Sequence, residues 1–287
     1  MHPPNSNQQH TRGPRLNTLY NVRDLGGYTA QDGQMTQPGR FLRADAPIRL
    51  DEHDRLVLAS YPVRTVVDLR SDSEIRSAPN LFAQDATVSY HHVSLMGDDI
   101  GKAMADLVDH AYDQAKTQAK MQTNIGSDQD DQTAPLDSRA CLPFQVGPSD
   151  FYIMLLDRSQ ESIGRVMKIL ADAPPGASLF NCSHGKDRTG VIAALLLLLA
   201  GVSEDDVIEN YRVSDILLQP WFDTFIHEIP EKDLVFYNTN PLHMRKTLDH
   251  LTAQYGSAAH FLDRCGVAAH LQERLRAKLL NPYSEAE

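Results

Sequence analysis

Residues 181–190 read Asn-Cys-Ser-His-Gly-Lys-Asp-Arg-Thr-Gly. Before them stand Ala177, Leu179 and Phe180, an apolar pattern that predicts a short buried strand. After them Val191 to Ala200 is wholly apolar and predicts a buried helix. A strand that turns straight into a helix presents the unbonded N–H groups of the helix start to whatever sits in the turn. Such a turn binds phosphate. The same field favours a thiolate, so Cys182 is expected to act as a nucleophile.

The residue types inside the turn fit that chemistry. Arg188 follows Cys182 after five residues and offers a planar, two-pronged donor to phosphate oxygens. Ser183, His184, Gly185 and Lys186 complete the phosphate-holding turn, with Lys186 expected to add positive charge at its rim and His184 to tune the pocket's charge. Gly185 and Gly190 allow conformations and approaches that a Cβ would hinder. The Thr189 hydroxyl can bond the sulfur and help it leave. Asp187 beside a phosphate is repulsive unless protonated, and a protonated carboxyl is what a leaving oxygen requires. The turn is not a Walker A loop, because Gly185-Lys186 is followed by Asp187. A structural cysteine before an ordinary helix is the bland alternative, and it gives no reason for the polar run from Gly185 to Gly190.

These residues resemble the loop of the cysteine-dependent phosphatases, and Gly-Lys-Asp-Arg-Thr-Gly is similar to that of the atypical bacterial and fungal tyrosine phosphatases, the group of the mycobacterial tyrosine phosphatase B and the listerial lipid phosphatase. Asn21-Val22-Arg23-Asp24-Leu25-Gly26-Gly27-Tyr28 resembles the opening block of that family. Gly39 to Asp45 resembles its second block, Thr65 to Arg70 with Glu74 its third, and Tyr255 to Leu262, Gly266-Val267 and Leu275-Arg276 its closing helices. The likeness runs over about 19–280, with a poorly matched gap near 97–148. One departure is Asn181, where the family usually has His; a modest change in thiolate stability is expected. The resemblance implies a cysteine-phosphatase-like fold, metal-independent hydrolysis without a cofactor, and Asp187 as the acid.

At 287 residues and 41% hydrophobic content the chain can bury one full core. A formal charge of −11 argues against nucleic acid as a partner and against electrostatic docking on anionic membranes. The ten residues Val191–Ala200 are too few to span a bilayer. The opening residues are polar without an apolar h-region, so no Sec signal is read and a cytoplasmic location is expected; export by another route leaves no such mark. Cys141, Cys182 and Cys265 make no disulfide framework.

Along the chain, 1–18 reads as a disordered arm and 19–287 as a single domain, with 97–148 as a lid or a mobile insertion. Strands are expected at 40–43, 63–69 and 87–93. Helices are expected at 51–60 capped by Asp51, at 149–171, from a Ser203 cap, at 241–255 and at 257–279. Strands alternating with helices predict an α/β fold, a central mostly parallel sheet with helices on both faces and a site at the strand C-terminal ends. That rule brings Asp68 and Arg70 beside Cys182, so Asp68 is a reserve candidate for the acid; a carboxylate paired with Arg is the structural alternative. Arg23 and Arg43 are candidates for shaping the pocket or for a buried ion-pair cluster. His91 and His92 alternate across a strand, and His243 and His250 lack a carboxylate at metal spacing, so no metal site is expected. Cys141 could pair reversibly with Cys182 on oxidation, though an inert loop cysteine is the simpler account.

The reading is a phosphatase that works through a cysteinyl-phosphate, with phosphotyrosine protein as the favoured substrate, phosphoinositide and phosphoserine or phosphothreonine as additional ones, and inorganic phosphate as product. A phosphate-binding adaptor and a rhodanese-like sulfur transferase are the alternatives. The intact Cys182, Asp187 and Arg188 disfavour the first, and Arg188-Thr189 after a five-residue gap disfavours the second.

Overall fold

The computed structural model describes residues 13–97, 100–111 and 146–282. Five strands, β1 (Arg23–Asp24), β2 (Phe41–Ala44), β3 (Val63–Asp68), β4 (Ser89–His92) and β5 (Ala177–Asn181), form one sheet in the order β1-β2-β5-β3-β4. Only the β1–β2 pair is antiparallel. The strand leading to Cys182 is therefore the central one. Its register sets Asn181 beside both Ala44 and Asp68, which brings the ends of β2, β3 and β5 together.

The pleat sorts each strand's side chains between two cores. Phe41, Val67 and Phe180 face one core, and Leu42, Val66 and Leu179 face the other. The larger core takes helices α3 (Pro148–Arg158), α4 (Gln160–Asp172), α5 (Asp187–Leu199), α6 (Glu204–Phe222), α7 (Pro241–Tyr255), α8 (Ala258–Arg264) and α9 (Ala269–Leu280). The smaller is covered by α1 (Glu52–Ser60), by Phe82 and by the segment through Leu19 and Val22. α1 is capped by Asp51, whose carboxylate accepts the Asp54 N–H at 2.8 Å. In α5 every residue from Arg188 to Leu197 is buried. Each leucine there contributes about 1.5–3 kcal/mol by burial, so the helix start is fixed by the core behind it.

Three expectations change. The helix foreseen over 149–171 is two helices, because the chain bends at Ser159, whose hydroxyl donates to the Leu95 carbonyl at 2.7 Å. The helix foreseen over 257–279 is also two, α8 and α9, parted at Gly266, whose φ of 73° favours glycine. The arm foreseen over 1–18 is tied down at its end: Leu16 packs on the smaller core and the Asn17 and Thr18 N–H groups donate to Asp54. Residues 1–12 of that arm, the mobile stretch foreseen at 123–138 and Cys141 lie outside the described residues. Residues 100–111 are helical. No helix among the described residues is long and apolar enough to cross a membrane.

Candidate active site

Cys182 leaves the end of β5 and is buried, 2% exposed. From there the chain wraps round to α5 in a turn whose carbonyls are all claimed from outside. Ala46 N–H donates to the Ser183 carbonyl at 3.1 Å. Asn21 Nδ2 donates to the His184 carbonyl at 2.8 Å. Buried Arg43 donates to the carbonyls of Gly185 at 2.8 Å and Lys186 at 3.3 Å. No main-chain N–H from Ser183 to Arg188 bonds an acceptor among the described residues. With its carbonyls bonded outward and no acceptor on those N–H groups among the described residues, the turn can offer them to an anion. Gly185 has φ of 64°, and a Cβ there would stand 2.4 Å from the Ala44 carbonyl group, so no other residue fits the turn.

Arg43 thus acts on the turn's backbone, and its Nη1 also donates to Asn210 Oδ1 at 2.5 Å. Burial pushes its guanidinium down to about 10, countered by the nearby Cys182 sulfur, so it stays charged at neutral pH. Arg23 sits one layer behind, donating to the Asn210 carbonyl at 2.8 Å and to Ser214 Oγ at 2.7 Å. Of the two, Arg43 bonds the turn's backbone directly, and Arg23 bonds Asn210 and Ser214 behind it.

Arg188 is gripped by Glu74, Nη1 to Oε2 at 2.6 Å and Nη2 to Oε1 at 2.7 Å. Glu74 is itself fixed by a capping box at the start of α2 (Asp72–Ser77): its Oε2 accepts Ser71 N–H and its own N–H donates to Ser71 Oγ. Ser183 Oγ donates to the same carboxylate. Burial alone would push Glu74 up, but the two Arg188 bonds and that charge hold its carboxyl well below the usual range. The Glu74 pair, despite the cost of burial, keeps Arg188 well above its ordinary value. Thr189 is wholly buried, and its hydroxyl has no partner among the described residues.

Asp187 stands at the first position of α5, 21% exposed. Tyr152 on α3 donates its hydroxyl to Asp187 Oδ1, and Tyr211 on α6 lies 2.8 Å behind it, hydroxyl to hydroxyl. Burial pushes both phenols up, with Asp187 adding to the effect, so each remains a proton donor throughout the physiological range.

Asp68 belongs to another structure altogether. Arg70 binds it through Nε at 3.0 Å and Nη2 at 2.8 Å, Asn80 Nδ2 donates at 2.8 Å and Tyr90 at 3.3 Å. Burial would raise its carboxyl, but these donors hold it below the usual range. A carboxylate bonded in this way fits the structural alternative, a carboxylate paired with Arg, better than the reserve role as acid. Asp68→Asn is expected to destabilise the fold by about 3–5 kcal/mol, because Arg70 is left buried and unpaired. Thermal unfolding checks this; lost turnover at an unchanged unfolding midpoint would return Asp68 to the chemistry.

Two more residues depart from expectation. The Lys186 ammonium is not at a rim: the side chain is buried, and its Nζ donates to the carbonyls of Phe236 at 2.5 Å and Asn238 at 3.0 Å. His184 brings no charge, since burial pushes its ring down to about 4. That ring lies among aromatics, 5.0 Å from Trp221, 5.7 Å from Phe222 and 6.1 Å from Tyr237.

A cleft of about 330 Å³ opens at Asp187 and Arg188 and is walled by Met96, Met104, Val108, Phe151 and Phe236. The helical stretch 100–111, inside the expected lid region, forms one side of it. A second cleft, of about 480 Å³, lies at the opposite end of β2 and β5 and includes no residue of the turn. The sequence reading missed Glu74 as the partner of Arg188, and missed Tyr152 and Tyr211 entirely. Tyr152 had a signal of a kind: a hydroxyl buried on a core-facing helix position needs a partner.

The sequence model of a family described as the tyrosine phosphatase family matches residues 14–281. A tyrosine-protein phosphatase of Nostoc commune is 33% identical over 174 residues, 61% of this chain and 48% of that protein, so the match spans about half of that relative. The triple specificity protein phosphatase PtpB of Mycobacterium tuberculosis is 25% identical over 285 residues, 91% of this chain and 96% of its own length.

Proposed function

Because the chain belongs to the tyrosine phosphatase family, we propose that it hydrolyses phosphate monoesters, phosphotyrosine above all, through a phosphorylated Cys182. What supports this is the turn itself: a buried thiol, N–H groups without acceptors among the described residues, and Arg188 paired with Glu74. The bonds to Glu74 take two of the five N–H groups of Arg188 and Nη2 also reaches Ser183 Oγ at 3.4 Å, which leaves the Nε–H for a phosphate oxygen.

In the first step the sulfur attacks phosphorus and the ester oxygen leaves with the proton of Asp187. Oδ1 of Asp187 is engaged by Tyr152, which leaves Oδ2 as the atom that carries the proton. In the second step water attacks the thiophosphate, the same carboxylate takes the water's proton, and the Thr189 hydroxyl bonds the departing sulfur. Charge building on the phosphoryl oxygens is met by the N–H groups and Arg188, and this electrostatic contribution is the largest. Every group in these steps comes from the chain's own side chains and backbone.

The apolar cleft supports an aromatic ester as substrate, since the ring of a phosphotyrosine would lie against Phe151 and Phe236. Phosphoinositide and phosphoserine or phosphothreonine are additional substrates in this reading, and the cytoplasm is the proposed location. The test is phosphate release from a phosphotyrosine peptide, a phosphoserine peptide and phosphoinositides side by side. Fastest release from phosphotyrosine is expected; release from none of them by folded protein would leave a phosphate-binding adaptor.

Tyr152→Phe checks the assignment of the acid. It is expected to slow phenyl phosphate about tenfold, and a dinitrophenyl ester, whose leaving group needs no proton, about twofold or less. An equal loss on both esters would remove Tyr152 from the proton's path.

A further inference from the structure

The sequence places a lysine in a phosphate-binding turn, and the obvious role for it is to hold phosphate. Its surroundings point elsewhere. Lys186 is wholly buried, and its three ammonium hydrogens face three acceptors: the carbonyl of Phe236 at 2.5 Å, the carbonyl of Asn238 at 3.0 Å and Asp187 Oδ1 at 3.3 Å. The two carbonyls belong to one segment, a 3-10 turn over Glu231–Tyr237 and the residue after it.

That segment builds the site's outer wall. Lys232, Asp233 and Phe236 line the cleft beside Asp187 and Arg188. Tyr237 packs on Phe222 at 5.2 Å and on His184 of the turn at 6.1 Å. Lys232 pairs with Asp109, which joins the segment to the helical stretch 100–111 on the other side of the cleft. None of the residues from Glu231 to Tyr237 is buried, so the segment has little core of its own to hold it. A charged hydrogen-bond donor on two adjacent carbonyls is a strong fastening for such a piece.

Resting on the reading of the turn as a phosphatase site, we propose that Lys186 is a positioning residue: it fastens the 231–238 segment, and with it the wall of the cleft, to the turn, and is not a ligand of the substrate's phosphate. The wall fits the organic part of the ester, while the phosphate is left to Arg188 and the N–H groups. Loss of the fastening therefore weakens recognition of the leaving group and spares recognition of phosphate.

Lys186→Met keeps the length of the side chain and removes its donors. In this variant KM for a phosphotyrosine peptide is expected to rise about tenfold, inhibition by inorganic phosphate to stay within about twofold, and amide hydrogen exchange over 231–238 to quicken about tenfold or more while β5 is unchanged. Phosphate inhibition weakened by about tenfold or more, or exchange at 231–238 that does not change, overturns the proposal. Should the variant not fold, the unmutated protein crystallised with inorganic phosphate decides: Nζ still on the two carbonyls supports the fastening, and Nζ within about 3.5 Å of a phosphate oxygen refutes it. Phosphate binding by calorimetry and the exchange readout need no turnover, so a failure of the phosphatase reading itself would show separately, as absent hydrolysis by the unmutated protein.

Discussion

Replacing Cys182 by serine is expected to lower phosphate release from a phosphotyrosine peptide roughly ten-thousand-fold or more, while inorganic phosphate still binds. The size of the effect follows from what the position supplies. A hydroxyl is a far weaker nucleophile than a thiolate at neutral pH. The binding half of the site is untouched, because the N–H groups and Arg188 owe their places to Ala46, Asn21, Arg43 and Glu74. Rapid quenching of the unmutated protein should trap one phosphoryl group per chain, on sulfur, and none in the variant. Cys265 is no competitor: it is buried on α8's C-terminal side, and burial pushes its thiol up to about 12. A variant that kept a tenth of the activity would end the covalent mechanism.

Arg188→Lys is expected to cost roughly a thousandfold in kcat, although the positive charge is retained. Lysine has no second edge. It can answer Glu74 or the phosphate but not both, and the carboxylate is held in place by Ser71 and Ser183. The pair also makes a statement about pH. Glu74 is held well below the usual carboxylate range, so the stabilisation it gives is present at neutral pH and is lost only as pH falls through that depressed value. The arginine therefore stays in place across the mildly acid range. His184, pushed down to about 4, does not titrate there either. Asp24 and Asp45, each pushed up to about 6 by burial, do titrate in that range, and Asp45 accepts the Asn21 N–H behind the turn. Steady-state kinetics of the lysine variant checks the first point; a loss below about tenfold would show that charge alone suffices.

The turn was legible because its chemistry is local: Cys182, Asp187, Arg188 and Thr189 lie within eight residues, and the apolar runs on each side declare a strand and a helix. The strand order was legible in part, since Val63, Thr65, Val66 and Val67 are β-branched and buried, as suits an inner strand. What the sequence did not show was distance closed by folding. Glu74 reaches Arg188 across 114 positions and Tyr152 reaches Asp187 across 35, and nothing in either neighbourhood announces the partner. Lys186 misled for the same reason. Its type and place suggest phosphate, and only the return of residues 231–238 over the turn shows where its hydrogens go. The breaks at Ser159 and Gly266 escaped because the apolar periodicity carries on through them.

The turn after Cys182 runs directly into a helix whose Val191–Leu197 stretch lies inside the core. Reaction geometry and foldedness thus share the same atoms, and a change that loosens one loosens the other. The two segments beside the cleft are of another kind. Residues 100–111 and 231–237 lie at the periphery, joined by an ion pair whose side chains are 35% and 57% exposed. An exposed pair of this sort contributes little to stability. Substitutions at the exposed positions of the two segments cost the fold little, unlike those at Ile100, Met104 and Val108, which are buried, so the exposed positions are where the chain has most room to change. Directed evolution aimed at a new ester has its room at the margin, and libraries placed in the turn would mostly return unfolded chains.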